Sequence, residues 1–199
     1  LLGMMVWMAH LLRVPDRNND ADDQTILAPC DGVVLEIESD LFPVGLDNDT
    51  QPARRITIQT RLYDAQLQTS PITGHIVDNN LMPGLFTKWG DNPDSWSAAR
   101  LVNERREICL RDAFKRDVVL VQIGSKTARR LVCRLSEGKF LQAGSPIGMA
   151  CIAGVIDLYI PARCKIRIAT GQHTIAGETA LAQFAAKPQV KKQNSSNQD

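Results

Sequence analysis

The stretch Ile147-Gly-Met-Ala-Cys-Ile-Ala-Gly-Val-Ile-Asp-Leu-Tyr-Ile-Pro161 decides how the rest of the chain is read. Its apolar run, Ala150 to Ile156, is bounded by Gly148 on one side and by Asp157 and Pro161 on the other, which suits a buried strand better than a helix. The neighbouring segments carry the same punctuation. A turn at Pro29 to Gly32 feeds an alternating strand that runs to Ile37, and Ser70-Pro-Ile-Thr-Gly-His-Ile-Val77 repeats the Pro-x-x-Gly turn and strand. Two turn pairs, Gly138-x4-Ala143-Gly144 and Gly171-x4-Ala176-Gly177, form a short internal repeat.

Ile56 to Thr60 alternates and predicts a half-buried strand; Glu107 to Leu110, Val118 to Ile123 and Arg130 to Leu135 are β-rich. Residues 94–102 have helical composition, with Asp94 or Ser95 as N-cap. Val14 to Gln24 reads as a linker and Leu41 to Pro52 as a loop. The expected class is mainly β, a β-rich α+β fold. It has twisted antiparallel sheets, tight Pro/Gly turns, hammerhead or lipoyl-like turn repeats and few short helices.

With 199 residues, 44% of them hydrophobic, the chain has enough material for one domain with a true core. A net charge of +1, with no run of aromatics between basic residues, excludes a nucleic-acid-binding class. Five cysteines, far apart and never in a C-x-x-C arrangement, signal neither a disulfide framework nor a metal site; they read as buried thiols. The chain divides into an apolar membrane-associated segment at 1–14, a domain at 15–184 and a disordered polar tail at 185–199. Twelve largely apolar residues, Leu1 to Leu12, fall short of the ~20 that span a bilayer. Three readings stay open for them: the end of a span truncated upstream, an interfacial helix, or a core helix. Arg13 and Arg17 follow as the flank expected on the cytoplasmic side of a membrane.

Several motifs in order resemble the short prokaryotic type of phosphatidylserine decarboxylase, from Leu12 to Phe184. They are Leu12-Arg-Val-Pro-Asp-Arg17, Ala28-Pro-Cys-Asp-Gly32, Tyr63-Asp64 with Ser70-Pro71, Pro83-Gly-Leu-Phe86, Asn103-Glu-Arg105, Val121-Gln-Ile123 with Ala128-Arg-Arg130, and Ile147 to Pro161 itself. In that family a Gly-Ser pair in the last of these cuts itself. The serine hydroxyl attacks the preceding carbonyl carbon, the resulting ester eliminates, and the dehydroalanine left behind hydrolyses to a pyruvoyl cofactor. The resemblance assigns the general-base role to a histidine paired with an aspartate. By position the aspartate is Asp31, the histidine is replaced by Gln66, and the Gly-Ser pair by Ala153-Gly154. A carboxamide accepts no proton near neutral pH, and glycine has no nucleophile. A second histidine of longer members falls on Thr69. Neither Gly124-Ser125 nor Gly144-Ser145 stands at the cleavage position, and His10, His75 and His173 receive no role.

The resemblance implies substrate contacts at Tyr63, Asp64, Asn103, Glu104 and Arg105. It also implies a membrane phospholipid partner at the cytoplasmic face of the cell membrane, with a protein partner or a second copy as a further expectation. No pyruvoyl group and no metal are expected. Three functions compete: a catalytically inactive homologue with a lipid-binding or regulatory role; an active decarboxylase whose nucleophile has moved to Cys151; and a lipoyl-like scaffold domain sharing only the turns. A three-residue displacement along a strand moves a side chain about 10 Å and to the opposite face, which weighs against Cys151.

Overall fold

The computed structural model describes residues 2–11, 13, 15, 17, 22–41, 52–150 and 153–185. In chain order the elements are α1 Leu2–Leu11, β1 Thr25–Leu27, β2 Gly32–Leu41, β3 Ala53–Gln59, β4 Leu67–Thr69, β5 Gly74–Met82, α2 Pro93–Val102, β6 Arg105–Arg111 and β7 Asp117–Ile123. There follow β8 Leu131–Cys133, β9 Phe140–Leu141, β10 Pro146–Ala150, β11 Val155–Pro161, β12 Lys165–Ile166, β13 His173–Thr174 and β14 Ala180–Gln183. The fold is mainly β, as its sequence leads one to expect. One antiparallel sheet of eight strands runs β13-β2-β3-β11-β7-β6-β5-β9, and two three-stranded sheets, β1-β14-β12 and β4-β10-β8, pack beside it.

Alternation along the central strands places two different sets of side chains on the two faces of the large sheet. Ile156, Leu158 and Ile160 of β11, with Leu120 of β7 and Ile56 and Ile58 of β3, form the main core together with residues of the small sheets. Val155, with Val119, Val121 and Ile123, faces the other way and packs under Trp89 and Ala99. Each fully buried aliphatic side chain contributes about 1.5–3 kcal/mol, so a strand buried on both faces, such as β7, anchors the sheet. Ile56 to Thr60, expected to be half-buried, is likewise almost wholly buried.

The stretch 147–161 departs from the expected single strand. Pro146–Ala150 belongs to a three-stranded sheet and Val155–Pro161 to the centre of the large one, with a turn at Ala153 between them. Ala153 takes φ of 56°, a left-handed backbone that no continuous strand contains. Ala150 on one side of the turn and Val155 and Ile156 on the other are thus buried from two different sheets, which composition alone does not distinguish from one strand.

The turn repeats are present, and they are symmetric. Leu27 N–H donates to Pro71 O and Thr69 N–H to Pro29 O; Gly177 N–H donates to Ala28 O and Gly144 N–H to Ser70 O; Gly171 N–H donates to Val34 O and Gly138 N–H to Ile76 O. Gly138, Gly144, Gly171 and Gly177 all have φ between 75° and 85°. A Cβ on Gly177 would come within 3.3 Å of Gly144 Cα, so the two halves touch where no side chain fits.

Helix α2 starts at Pro93, and its N-cap is Asn92 in place of the expected Asp94 or Ser95. The Asn92 side-chain Oδ1 accepts from Ser95 N–H at 2.9 Å, and Pro93, lacking an N–H, suits the first helical position. α1 exposes Met5, Val6 and Trp7. Among the described residues no helix is long and apolar enough to cross a membrane. Of the loop expected from Leu41 to Pro52, Leu41 ends β2 and residues 42–51 lie outside the described residues, as do residues 186–199 of the tail expected at 185–199.

Candidate functional site

Strand register lines up the residues singled out in the sequence. Val33, Gln59, Val155, Ile123 and Arg105 form one row across β2, β3, β11, β7 and β6. One step past that row, at the same end of the sheet, come Gly32, Thr60, Gly154, Gly124 and Glu104, with Asp31 one residue beyond Gly32. Neighbouring strands are about 4.8 Å apart, so Gly154 lies about 10 Å from the β2 and β6 ends. Thr60 N–H donates to Gly154 O at 3.0 Å, and Gly124 N–H to Glu104 O at 2.8 Å, which carries the ladder into this rim.

Gln66 touches the Ala153-Gly154 dipeptide directly. Its Oε1 accepts from Ala153 N–H at 2.9 Å, while its Nε2 donates to Arg61 O at 3.1 Å and Asp64 O at 2.9 Å. It is 3% exposed. All three partners are backbone groups, so the carboxamide clamps the 61–64 turn to Ala153 and helps hold a left-handed residue that would otherwise cost roughly 1–2 kcal/mol.

Gly154 is tightly packed. A Cβ built on it would stand 2.5 Å from the Ala150 Cβ and 3.8 Å from that of Ala128. The first distance is too short for two carbon atoms, so a side chain at position 154 requires Ala150 to shift.

Asp31 is fully engaged. Arg17 grips it through two bonds of 2.6 and 2.8 Å, Ala176 N–H donates to its Oδ1 at 2.8 Å, and Arg17 also bonds Ala176 O. Both side chains are mostly buried, which makes this a strong charge-assisted pair. Arg17, read in the sequence as a membrane flank, is therefore spent inside the domain.

Cys30, between Asp31 and the core, received no role in the sequence. Burial pushes its thiol up to about 12 against the opposing hydrogen bond from Thr60, with Asp31 and Asp64 raising it further. A thiol that stays protonated is inert as a nucleophile. Cys151 lies outside the described residues.

The remaining candidates divide. Tyr63 is exposed beside the Gln66 clamp, its hydroxyl bonded by Arg61 at 2.9 Å, and Asp64 accepts Arg61 N–H at 2.8 Å within the turn. Asn103 is buried and spends its amide on Thr87 and Gly124, a bracing role. Glu104 lies on the rim, and Arg105 pairs with Glu107. No His/Cys/Asp/Glu cluster suited to a metal occurs among the described residues.

Sequence reasoning missed Arg100. From α2 it reaches Asp157 at 2.7 Å, Glu36 at 2.9 Å and Thr57 at 2.8 Å, with its guanidinium 5.3 Å from the Trp89 ring centroid. Asp157 is 1% exposed inside an apolar strand, and a buried carboxylate requires a cation; that was the available signal.

Comparison with known proteins shows the family. A family model described as phosphatidylserine decarboxylase matches residues 5–182. A phosphatidylserine decarboxylase proenzyme of Mycolicibacterium gilvum is 33% identical over 176 residues, 88% of this chain and 74% of that protein. One from Ruegeria pomeroyi is 33% identical over 181 residues, 91% of this chain and 80% of that protein. One from Saccharopolyspora erythraea is 31% identical over 182 residues, 92% and 75% respectively. Motif order and family match together place this chain in the phosphatidylserine decarboxylase family.

Proposed function

We propose that this chain is an uncut family member that has given up pyruvoyl formation and keeps a lipid-binding or regulatory role in phospholipid metabolism. The observation that carries the reading is the closed packing at Gly154, where Ala150 Cβ occupies the place of a side chain. Gln66, tied to three backbone groups, supports it by standing where proton transfer would need a base. Residues so arranged do not fit a pyruvoyl group, since its carbon atoms derive from a serine at this position.

Intact mass under denaturing conditions is the test. One uncut chain is expected; two fragments would overturn the reading, and a break before Cys151 would install the displaced-nucleophile alternative. Restoration is a harder test. Gly154→Ser with Gln66→His supplies nucleophile and base, yet the 2.5 Å approach of Ala150 predicts no self-cleavage. Adding Ala150→Gly and Ala153→Gly opens the space and eases the backbone, so fragments are expected only from the fourfold variant. Cleavage in the double variant would show that packing is no barrier.

The exposed apolar α1 supports a proposed membrane location. It associates with the cytoplasmic face of the membrane, Arg13 facing the headgroups. Removing residues 1–12 should abolish flotation with liposomes; equal flotation of both forms would exclude α1 as the anchor.

A further inference from the structure

Between α2 and the outer face of the large sheet lies a cavity of about 380 Å³. Its floor is Val119, Val121 and Ile123 of β7. Leu101 of α2 stands at the rim, 79% exposed although wholly apolar. Ile123 pairs with Val155, so the cavity begins one residue from Gly154.

One polar group on the lining, the Nε–H of Arg55, lacks an acceptor, and the Tyr159 hydroxyl stands beside the same guanidinium. Arg55 is 8% exposed; its Nη2 bonds Glu36 and Glu38, and its buried Nε–H meets no partner. Tyr159, also on the lining, keeps its phenol proton at neutral pH, because burial and then Asp157 raise its pKa against the opposing hydrogen bond from Arg55, and that proton is free to be donated. A buried donor without an acceptor is uncommon in native proteins and marks a place where an acceptor belongs.

Charge decides which acceptor. Around the cavity three guanidinium groups, on Arg55, Arg100 and Arg105, meet four carboxyl groups, on Glu36, Glu38, Asp157 and Glu107. Three positive charges against four negative leave one negative in excess, and none when Glu38 is protonated. A full anion gains nothing there, and a cation would meet the two donors. The complementary end is an uncharged carbonyl. The volume is near the lower end of the ~300–1,000 Å³ of ordinary ligand pockets, room for one medium-length chain.

We propose that this cavity holds the acyl chain of a single-chain, uncharged ester lipid, whose carbonyl oxygen accepts from Arg55 Nε–H and the Tyr159 hydroxyl. The inference rests on the reading above only in that lipid binding outlasts the chemistry, and it adds the site and the lipid class.

The full chain is titrated with monodecanoylglycerol below the concentration at which it aggregates, with decanoate and decyltrimethylammonium as charged counterparts of equal chain length. Saturable one-site binding of the ester is expected, with NMR contacts from its methylenes to the methyls of Val119, Val121 and Ile123 in the unmutated protein. Both charged analogues should bind about tenfold more weakly. Val121→Phe, which fills the cavity and keeps its floor apolar, should weaken the ester at least about tenfold. Arg55→Met should do the same through the lost donor. Absence of saturable binding, contacts to other methyls, equal binding of decanoate, or an unaffected Val121→Phe would each overturn the proposal. Liposome flotation separates the two readings: flotation retained with the cavity empty sinks this site alone, whereas flotation lost with ester binding intact sinks the α1 anchor alone.

Discussion

The two symmetric halves of the turn system differ at one charged position. In one half Pro29-Cys-Asp-Gly32 meets the 171–177 turn, and Ala176 N–H donates to Asp31 Oδ1 at 2.8 Å. In the other Pro71-Ile-Thr-Gly74 meets the 138–144 turn, and Ala143 N–H donates to Thr73 Oγ1 at 3.1 Å. A hydroxyl performs the architectural task as well as a carboxylate does. The negative charge of Asp31 is thus surplus to the turn, and it is what Arg17 answers. Cys30 likewise replaces its counterpart Ile72, bringing an ionisable group where the other half has an inert one.

The largest expected effect comes from removing the charged member of the first pair. Asp31→Ala strands a mostly buried Arg17 and the Ala176 N–H, and should cost about 3 kcal/mol in urea denaturation, against about 1 kcal/mol for Thr73→Ala. Asp31→Thr, copying the other half, should fall between. Equal costs at 31 and 73 would mean that the charge contributes nothing to the fold.

The second pair is sharpened by pH. The unfolded thiol ionises near 9.0 and the folded Cys30 near 12, so between these values the native state holds the extra proton and stability falls as pH rises. The loss is about 1.4 kcal/mol per pH unit for this thiol, about 2 kcal/mol by pH 10.5. Cys109 and Cys164 are raised in the same direction, to about 12 and 11, so the slope is read as the difference between wild type and Cys30→Val. Identical alkaline slopes would show that Cys30 is not buried as described. Below pH 9 the two profiles should run parallel.

A third pair lies one step outward. Gln66 and its counterpart Gln24 occupy matching places before β4 and β1, but Gln24 bonds Arg116 at the half-exposed surface. Gln66→His leaves at least one of Arg61 O and Asp64 O without a donor and should cost about 1–2 kcal/mol. Gln24→His should stay within about 0.5 kcal/mol. Melting temperatures of the two variants compare them directly.

Strand content and the four turn glycines were legible because each leaves a local trace: alternation, or a Gly-x4-Ala-Gly turn pair. The break of 147–161 into two sheets was not. Gly148 and Ala153-Gly154 are the only marks of it, and an apolar run looks the same whether one sheet or two bury it. Arg100 and Arg17 were hidden for a different reason. Their partners, Asp157 and Asp31, lie 57 and 14 residues away, and only tertiary packing brings such charges together.

The passage from β10 to β11 also bears on assembly. β11 is hydrogen-bonded on both sides, to β3 and β7, so everything after Gly154 is rooted in the middle of the largest sheet. As long as the backbone is continuous at this point, that strand docks as part of the same molecule, at the millimolar or higher effective concentration a short tether supplies. Its return after denaturation is then unimolecular, indifferent to dilution. A chain cut here would have to recapture its own central strand from solution, at a rate set by how much of it is present.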